Sequence, residues 1–186
     1  MKITVSIPCY RSAKTLPYVV EQIKKTVAQR PSYSYQIILV NDCSPDNTFD
    51  VIRSLCQEDE NIVGVNLSRN WGQATARMAS IPYIEGDCTV FMDDDGQHPI
   101  DHLFDLVDKI EEGYDLVSAD FSQKQTKFMN RFTSAISAKV YTAMGKRPKG
   151  AVSSAYFAIN KMCTDSLKKY QSPFPSIFGY IYHNYQ

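Results

Sequence analysis

Three consecutive carboxylates, Asp93, Asp94 and Asp95, close the apolar run 88–92 (CTVFM) and precede Gly96, Gln97 and His98. Neighbouring carboxylates repel one another, so keeping all three ionised calls for a cationic partner. Lys109 is the only base close by in sequence. A divalent cation suits the position, because magnesium and manganese take oxygen ligands, often one or two carboxylates together with substrate phosphates. Side chains alternate along an extended backbone, so Asp93 and Asp95 share one side and Asp94 takes the other. The plainer alternative is an acidic turn in which Asp95 or His98 caps a helix starting at Pro99.

A second polar cluster, residues 41–48 (NDCSPDNT), follows the apolar run 36–40 (QIILV). An aspartate in this place, such as Asp42, accepts from the imide N–H of a uracil or thymine, or from a ribose hydroxyl. A turn with a helix cap is the alternative, and it suits Asp46. Tyr10 offers a ring on which a base can stack. Arg11 and Arg69 have the charge and reach for a diphosphate, although a lone arginine is more often a solvated surface group. His98 and His102 are four residues apart without an H-E-x-x-H pattern, so His102 reads as a capping or core residue.

The elements that must position these residues follow from periodicity. Residues 2–7 (KITVSI), 36–40, 61–67 (NIVGVNL), 88–92 and 114–118 (YDLVS) read as strands. Between them lie helical patterns: one capped by Ser12 with Leu16, Val19, Val20, Ile23 and Val27 inward, one through Phe49, Val51, Ile52 and Leu55, one over 72–84, and one carrying Leu103, Leu106, Val107 and Ile110. Apolar strands alternating with helices predict an α/β fold with a mainly parallel sheet covered on both faces. In such sheets ligands bind beyond the carboxyl ends of the strands, often where strand order reverses. The polar clusters at 8–11, 41–46, 68–70 and 93–98 all fall there. Past residue 120 the pattern changes to a long helix over 125–144, a basic turn at 145–150, a strand over 153–159 and a helix over 161–169. The tail 170–186 then holds six aromatic residues in seventeen. Without a Pro/Gly/Ser-rich connector, residues 1–186 read as one domain.

Lys and Arg number 20, as do Asp and Glu, so the formal net charge is zero. That balance argues against nucleic acid as a partner. It conceals a polarity, however: residues 93–120 hold ten acids and one base, and residues 121–186 hold ten bases and one acid. A hydrophobic share of 44% and a charged share of 22% are ordinary for a globular domain. No apolar run reaches the roughly 20 residues that span a bilayer, and the first residues read as a strand rather than as a leader peptide. Five cysteines without C-x-x-C spacing fit reduced, mostly buried thiols of a cytoplasmic protein, and neither a disulfide framework nor a zinc site.

The pieces SIPCYR, LVNDCSPDNT, LSRNWGQ and MDDDGQHP, in this order and spacing, resemble the family-two glycosyltransferases with the GT-A fold. The polyprenyl-phosphate glycosyltransferases and the dolichyl-phosphate mannose synthase type are the nearest in pattern. The four pieces cover residues 1–120, and similarity continues more faintly through Arg131, Lys139 and residues 154–161. The resemblance implies a GT-A-like three-layer sandwich, with residues 1–120 as the nucleotide-sugar and metal half and 121–186 as the acceptor half. It implies nucleobase contacts from Pro8, Tyr10 and Asp42, with Arg11, Arg69 and Asp94 completing the nucleotide-binding set. Asp93, Asp95 and Gln97 become the ligands of Mg2+ or Mn2+, and Arg131 lies near an acceptor phosphate. Asp93, Asp95 and Arg131 are then the catalytic candidates.

The implied activity is inverting transfer of a sugar from a nucleotide-sugar, a UDP-sugar foremost with GDP or dTDP as alternatives, to a polyprenyl phosphate or a glycan. Its implied location is the cytoplasm or the cytoplasmic face of a membrane, with peripheral contact. Two departures bear on the acceptor side: Ala151-Val152-Ser153-Ser154 replaces a stretch where relatives carry an Asp, and Asp120-Phe121 stands where relatives often carry an Arg. A catalytically silent nucleotide-sugar-binding module and a sugar nucleotidyltransferase are the competing expectations. The absence of G-x-G-x-x-G weighs against a dinucleotide oxidoreductase.

Overall fold

In the computed structural model the described residues are 1–96, 100–119, 154–170 and 176–184. The long helix expected over 125–144 and the basic turn at 145–150 lie outside them. The first half alternates as its periodicity requires: β1 (Lys2–Cys9), α1 (Leu16–Ala28), β2 (Ser34–Asn41), α2 (Thr48–Glu58), β3 (Ile62–Asn66), α3 (Gln73–Ser80) and β4 (Cys88–Phe91). Then come α4 (Leu103–Glu111), β5 (Leu116–Ser118), β6 (Phe157–Asn160), α5 (Lys161–Leu167) and α6 (Ile177–Asn184).

Six strands form one sheet in the order β3-β2-β1-β4-β6-β5. β1 pairs in parallel with β2 and β4, and β2 in parallel with β3. The sixth strand is antiparallel to both its neighbours and separates β4 from β5. The mainly parallel sheet is thus as expected. The antiparallel insertion between β4 and β5 was not, since strand order leaves no local trace in a sequence.

Alternation along the strands builds two cores. Ile3, Val5 and Ile7 of β1 face one layer, packing with Leu16, Val19 and Ile23 of α1, Ile52 of α2, and Leu103 and Val107 of α4. Ile38 and Val40 of β2, with Phe91 and Phe157, face the other layer, formed by Ala76 of α3, Cys163 and Leu167 of α5, and Ile177 and Ile181 of α6. The result is the expected three-layer sandwich. Each fully buried aliphatic side chain contributes about 1.5–3 kcal/mol. Polar groups on the second face of β1 are satisfied: Thr4 Oγ1 donates to Gln36 Oε1 at 2.8 Å, and Ser6 Oγ donates to Ser80 Oγ at 2.7 Å. Within the aromatic tail, Ile177 and Ile181 are buried, and Phe178 lies 4.5 Å from the Phe157 ring. This part of the tail is turned toward the domain's own core.

Local chemistry moves several boundaries. The helix expected over 72–84 stops at Ser80 and tightens into a 3-10 turn at Ile81–Tyr83, where Pro82 has no N–H to continue the helical ladder. Ser12 does not cap α1 through its side chain. Its carbonyl accepts instead from the amides of Thr15 and Leu16, at 3.1 and 3.0 Å. His102 stands at the N-cap of α4 but is exposed, and its Nδ1 lies 2.6 Å from Asp105 Oδ2, so it is neither core nor side-chain cap.

Candidate active site

The strand order reverses between β1 and β4, because the chain runs from β1 outward to β2 and β3 before returning to β4 on the other side. A crevice is expected beyond the carboxyl ends of these two strands. Pro8 helps to shape it. Ser6 O accepts from Met92 N at 3.2 Å, so the backbone of Pro8, two residues on, faces the same side, beyond the last β1–β4 pair, Ser6↔Phe91. A proline is tolerated there because no ladder bond is lost.

The loop after β1 turns sharply, with Arg11 at a φ of 57°. Its amide donates to Ser44 Oγ at 2.7 Å, and its guanidinium lies 5.4 Å from the centroid of the Tyr10 ring. Tyr10 is exposed, and its amide donates to Asp94 Oδ2 at 2.9 Å across the crevice. Cys43, in the loop after β2, also has a left-handed φ, 52°. Strained backbone at two adjoining loops is characteristic of functional rims. The N-cap of α2 is Asn47 rather than the expected Asp46, which stands one residue earlier and accepts from the Thr48 hydroxyl at 2.6 Å and the Thr48 amide at 3.3 Å.

Asp42 is buried, and both its oxygens accept backbone N–H groups, Trp71 to Oδ1 and Gly72 to Oδ2, each at 2.8 Å. Trp71 itself is half exposed, with the Arg69 guanidinium stacked 3.5 Å from its ring centroid. The loop that carries Arg69 is therefore tied to the loop after β2 by one carboxylate.

Beyond the end of β4 the first two members of the acidic run part, as expected of neighbouring side chains. Asp94 turns toward the loop after β1, and Asp93 turns toward α3. There Asp93 Oδ1 accepts from Arg77 Nη2 at 2.8 Å and from Gln73 Nε2. Asp95 is exposed. Sequence reasoning overlooked Gln73 and Arg77. The available signal was the i, i+4 spacing of two polar residues on the helix that leads into the crevice. It also expected an ion as the partner of the acidic run, whereas the protein itself supplies a cation to Asp93. Burial pulls the Arg77 guanidinium below its ordinary range, and the pair with Asp93 opposes that shift. Much of the remaining acidic block lies on the outer face of α4, where Asp108 pairs with Arg30 at 2.5 Å and Glu112 with Lys109 at 2.7 Å.

The structure thus brings together Pro8, Tyr10, Arg11, Asp42, Arg69, Asp93, Asp94 and Asp95 at one rim. Gln97 and Arg131 lie outside the described residues, as do His98, Asp120-Phe121 and residues 151–153. Among the cysteines, Cys9, Cys88 and Cys163 are buried fillers, and burial raises the thiols of Cys88 and Cys163 to about 12. Cys43, by contrast, is exposed at the rim.

Among the described residues no three His, Cys, Asp or Glu side chains converge as a full ligand set for a metal. Asp93 and Asp95 nevertheless provide the oxygen chemistry that magnesium or manganese accepts when substrate phosphates complete the shell. The donor set fits such an ion.

The chain is similar to undecaprenyl-phosphate 4-deoxy-4-formamido-L-arabinose transferase of Shewanella sediminis (strain HAW-EB3), with 32% identity over 157 residues. That match covers 83% of this chain and 45% of the relative, so the chain spans about half the length of the relative it matches. Its fold is similar to mannosyl-3-phosphoglycerate synthase from Rubrobacter xylanophilus, at a TM-score of 0.68 and 16% identity, covering 88% of this chain and 55% of that one. Glucosyl-3-phosphoglycerate synthase from Mycobacterium tuberculosis, in complex with Mn2+, UDP-glucose and phosphoglyceric acid, gives a TM-score of 0.61 at 22% identity, covering 87% and 57% of the two chains. These likenesses establish the GT-A glycosyltransferase fold. The Glycosyl transferase family 2 model matches residues 4–170, and the chain belongs to glycosyl transferase family 2.

Proposed function

We propose that this chain is a metal-dependent, inverting glycosyltransferase domain that moves a sugar from a nucleotide-sugar to a polyprenyl phosphate. The observation that carries this is the meeting of two loops at the β1–β4 crevice, where the Tyr10 amide bonds Asp94 beside Asp93 and Asp95. Support also comes from the similar transferase, whose name specifies undecaprenyl phosphate, and from the neighbour of the same fold in complex with Mn2+ and UDP-glucose.

In this reading Tyr10 stacks on the nucleobase, Pro8 and Asp42 shape its pocket, and Arg11 and Arg69 face the diphosphate. Asp93 and Asp95, with Gln97, hold Mg2+ or Mn2+, and Asp94 fixes the floor of the crevice. When bound, the ion stabilises negative charge on the leaving diphosphate oxygen. Arg69 and Arg11 add fixed positive charge to the same group. A lipid phosphate is already an anionic nucleophile, so the acceptor side needs cationic positioning rather than a general base. Arg131, Lys139, Lys146, Arg147 and Lys149 are the bases we assign to that purpose. We read residues 1–186 as a single domain with a donor half and an acceptor half, working at the cytoplasmic face of a membrane. No helix of the described residues is long and apolar enough to cross a membrane.

Calorimetric titration with UDP, GDP, dTDP and CDP, each with and without Mn2+, tests the reading. At least one nucleotide binds only with the ion. Asp95→Ala abolishes that dependence and leaves stability within about 0.5 kcal/mol, as expected of an exposed side chain. Metal-independent binding of all four, or none at all, overturns it. Release of sugar from the preferred nucleotide-sugar separates a competent enzyme from a silent binding module.

A further inference from the structure

Three adjacent carboxylates are usually treated as equivalent candidates for a metal, but here their surroundings differ. Asp94 takes a backbone amide at 2.9 Å, whereas Asp93 takes a guanidinium at 2.8 Å. Both members of the second pair are sheltered, with side-chain exposures of 12% for Arg77 and 22% for Asp93. Sheltered opposite charges interact strongly and are weakly screened by solvent. Arg77 also donates to Ala155 O at 3.3 Å, so α3, the acidic loop and the entry to β6 share one guanidinium. Gln73, one turn earlier on α3, donates to the same Asp93 oxygen and fixes the carboxylate from a second direction.

We infer that Arg77 is a positioning residue that neutralises and orients Asp93, so that the acidic loop takes up a divalent cation only together with the nucleotide diphosphate. The inference rests on the function proposed above. With Arg77 in place, the Asp93 carboxylate is compensated by a guanidinium and turned toward α3. Asp95, exposed and farther along the loop, meets the ion first, and the oriented Asp93 joins it. The diphosphate brings the remaining negative charge and ligands. Binding is thereby ordered: an ion arriving alone meets a loop already partly compensated, and the ion–nucleotide pair meets a loop already shaped.

The test is a Mn2+ titration of the full chain, followed by loss of the free-ion signal in electron paramagnetic resonance. Wild type, Arg77→Gln, Arg77→Lys, Asp93→Asn and the double variant Arg77→Gln/Asp93→Asn are compared without nucleotide. Arg77→Gln keeps a donor to Asp93 but removes the charge, and it binds Mn2+ about ten-fold more tightly than wild type, a coupling of ordinary size. Arg77→Lys keeps the charge and stays at the wild-type affinity. Asp93→Asn binds more weakly, and the double variant stays within about two-fold of Asp93→Asn, because Arg77 acts through Asp93 and the two effects do not add. Unchanged affinity in a folded Arg77→Gln protein overturns the inference, and so does a gain that appears equally in Arg77→Lys. Should Arg77→Gln fail to fold, the step from Asp93→Asn to the double variant carries the test, and a gain of about ten-fold there overturns the inference. Repeating the titration with UDP separates the two claims. Nucleotide binding that ignores the ion removes the proposed function, while the cycle without nucleotide still reports the Arg77–Asp93 coupling.

Discussion

Asp42 grips two consecutive backbone amides, those of Trp71 and Gly72, with its two oxygens at 2.8 Å each. Gly72 stands at the N-cap of α3 with a φ of 85°, so the carboxylate seals the helix from outside. An anion is favoured there, where the first helical N–H groups lack partners. The same grip sets the platform on which Arg69 stacks against Trp71. An aspartate placed by the end of β2 thus organises a loop about thirty residues later, and both loops face the proposed donor site.

Asp42→Asn keeps one acceptor and turns an NH2 group toward an amide that has lost its partner. Stability falls by about 1–3 kcal/mol, the cost of an unsatisfied buried donor, as read by urea unfolding. Trp71 is the chain's single tryptophan, so its emission reports the loop directly. In wild type, binding of nucleotide with Mn2+ changes that emission. In Asp42→Asn the emission of the free protein shifts to the red, and the nucleotide-induced change shrinks. An unaltered spectrum and response would show that Trp71 is held by other contacts.

Gly86 is a site where only glycine fits. A Cβ at this position would lie 2.6 Å from Thr4 Oγ1, 2.7 Å from Thr4 N and 2.9 Å from Cys88 O, and two of these atoms are backbone. The Gly86 amide also donates to Thr4 Oγ1 at 2.9 Å. Gly86→Ala therefore forces β1 and the start of β4 apart and costs about 1–3 kcal/mol, as overpacking does. The position is at the amino ends of the strands, opposite the crevice. Thermal unfolding shows the loss, and nucleotide affinity below the transition is unchanged.

The parts of the fold visible in the sequence were those with strong local signals. Residues 37–40 and 90–92 are uninterrupted apolar runs because their strands are covered on both faces, and each is followed at once by polar residues at the crevice. The alternation rule alone separated Asp93 from Asp94, and the structure turns them to opposite sides, one to α3 and one to Tyr10. Arg77 stayed hidden because its meaning depends on where α3 packs. On the sequence it is one base in a short helix, and the pairing with Asp93 spans 16 residues. The strand at 153–159 was expected, but the antiparallel place of β6 was hidden for the same reason, as its partners β4 and β5 both precede it by long stretches. Tyr10 and Arg69 were singled out by residue type, but their neighbours Asp94 and Trp71 are tertiary facts.

Acid stability turns on the opposite rim, where Asp59 gathers four donors. Lys24 Nζ lies at 2.7 Å and Tyr35 Oη at 2.6 Å, and the amide and side chain of Asn61 each donate at 3.0 Å. Burial by itself would raise this carboxyl, yet the bonds from Lys24, Tyr35 and Asn61 outweigh it and hold the group well below the usual carboxylate range. A depressed folded-state value means that the unfolded chain binds the proton more readily. The stabilisation is therefore complete above the unfolded value of about 4 and is lost as pH falls from there through the folded value. Asp59→Asn removes the charge at every pH. It costs about 1–3 kcal/mol at neutral pH, where the bond to Lys24 loses its ionic character. It costs progressively less below about pH 4, so the acid limb of its stability curve is flatter than that of wild type. Denaturant midpoints of the two proteins, measured from neutral pH down to about pH 2, converge if Asp59 is the source; parallel curves would assign the acid sensitivity to other carboxylates, such as Asp108 beside Arg30.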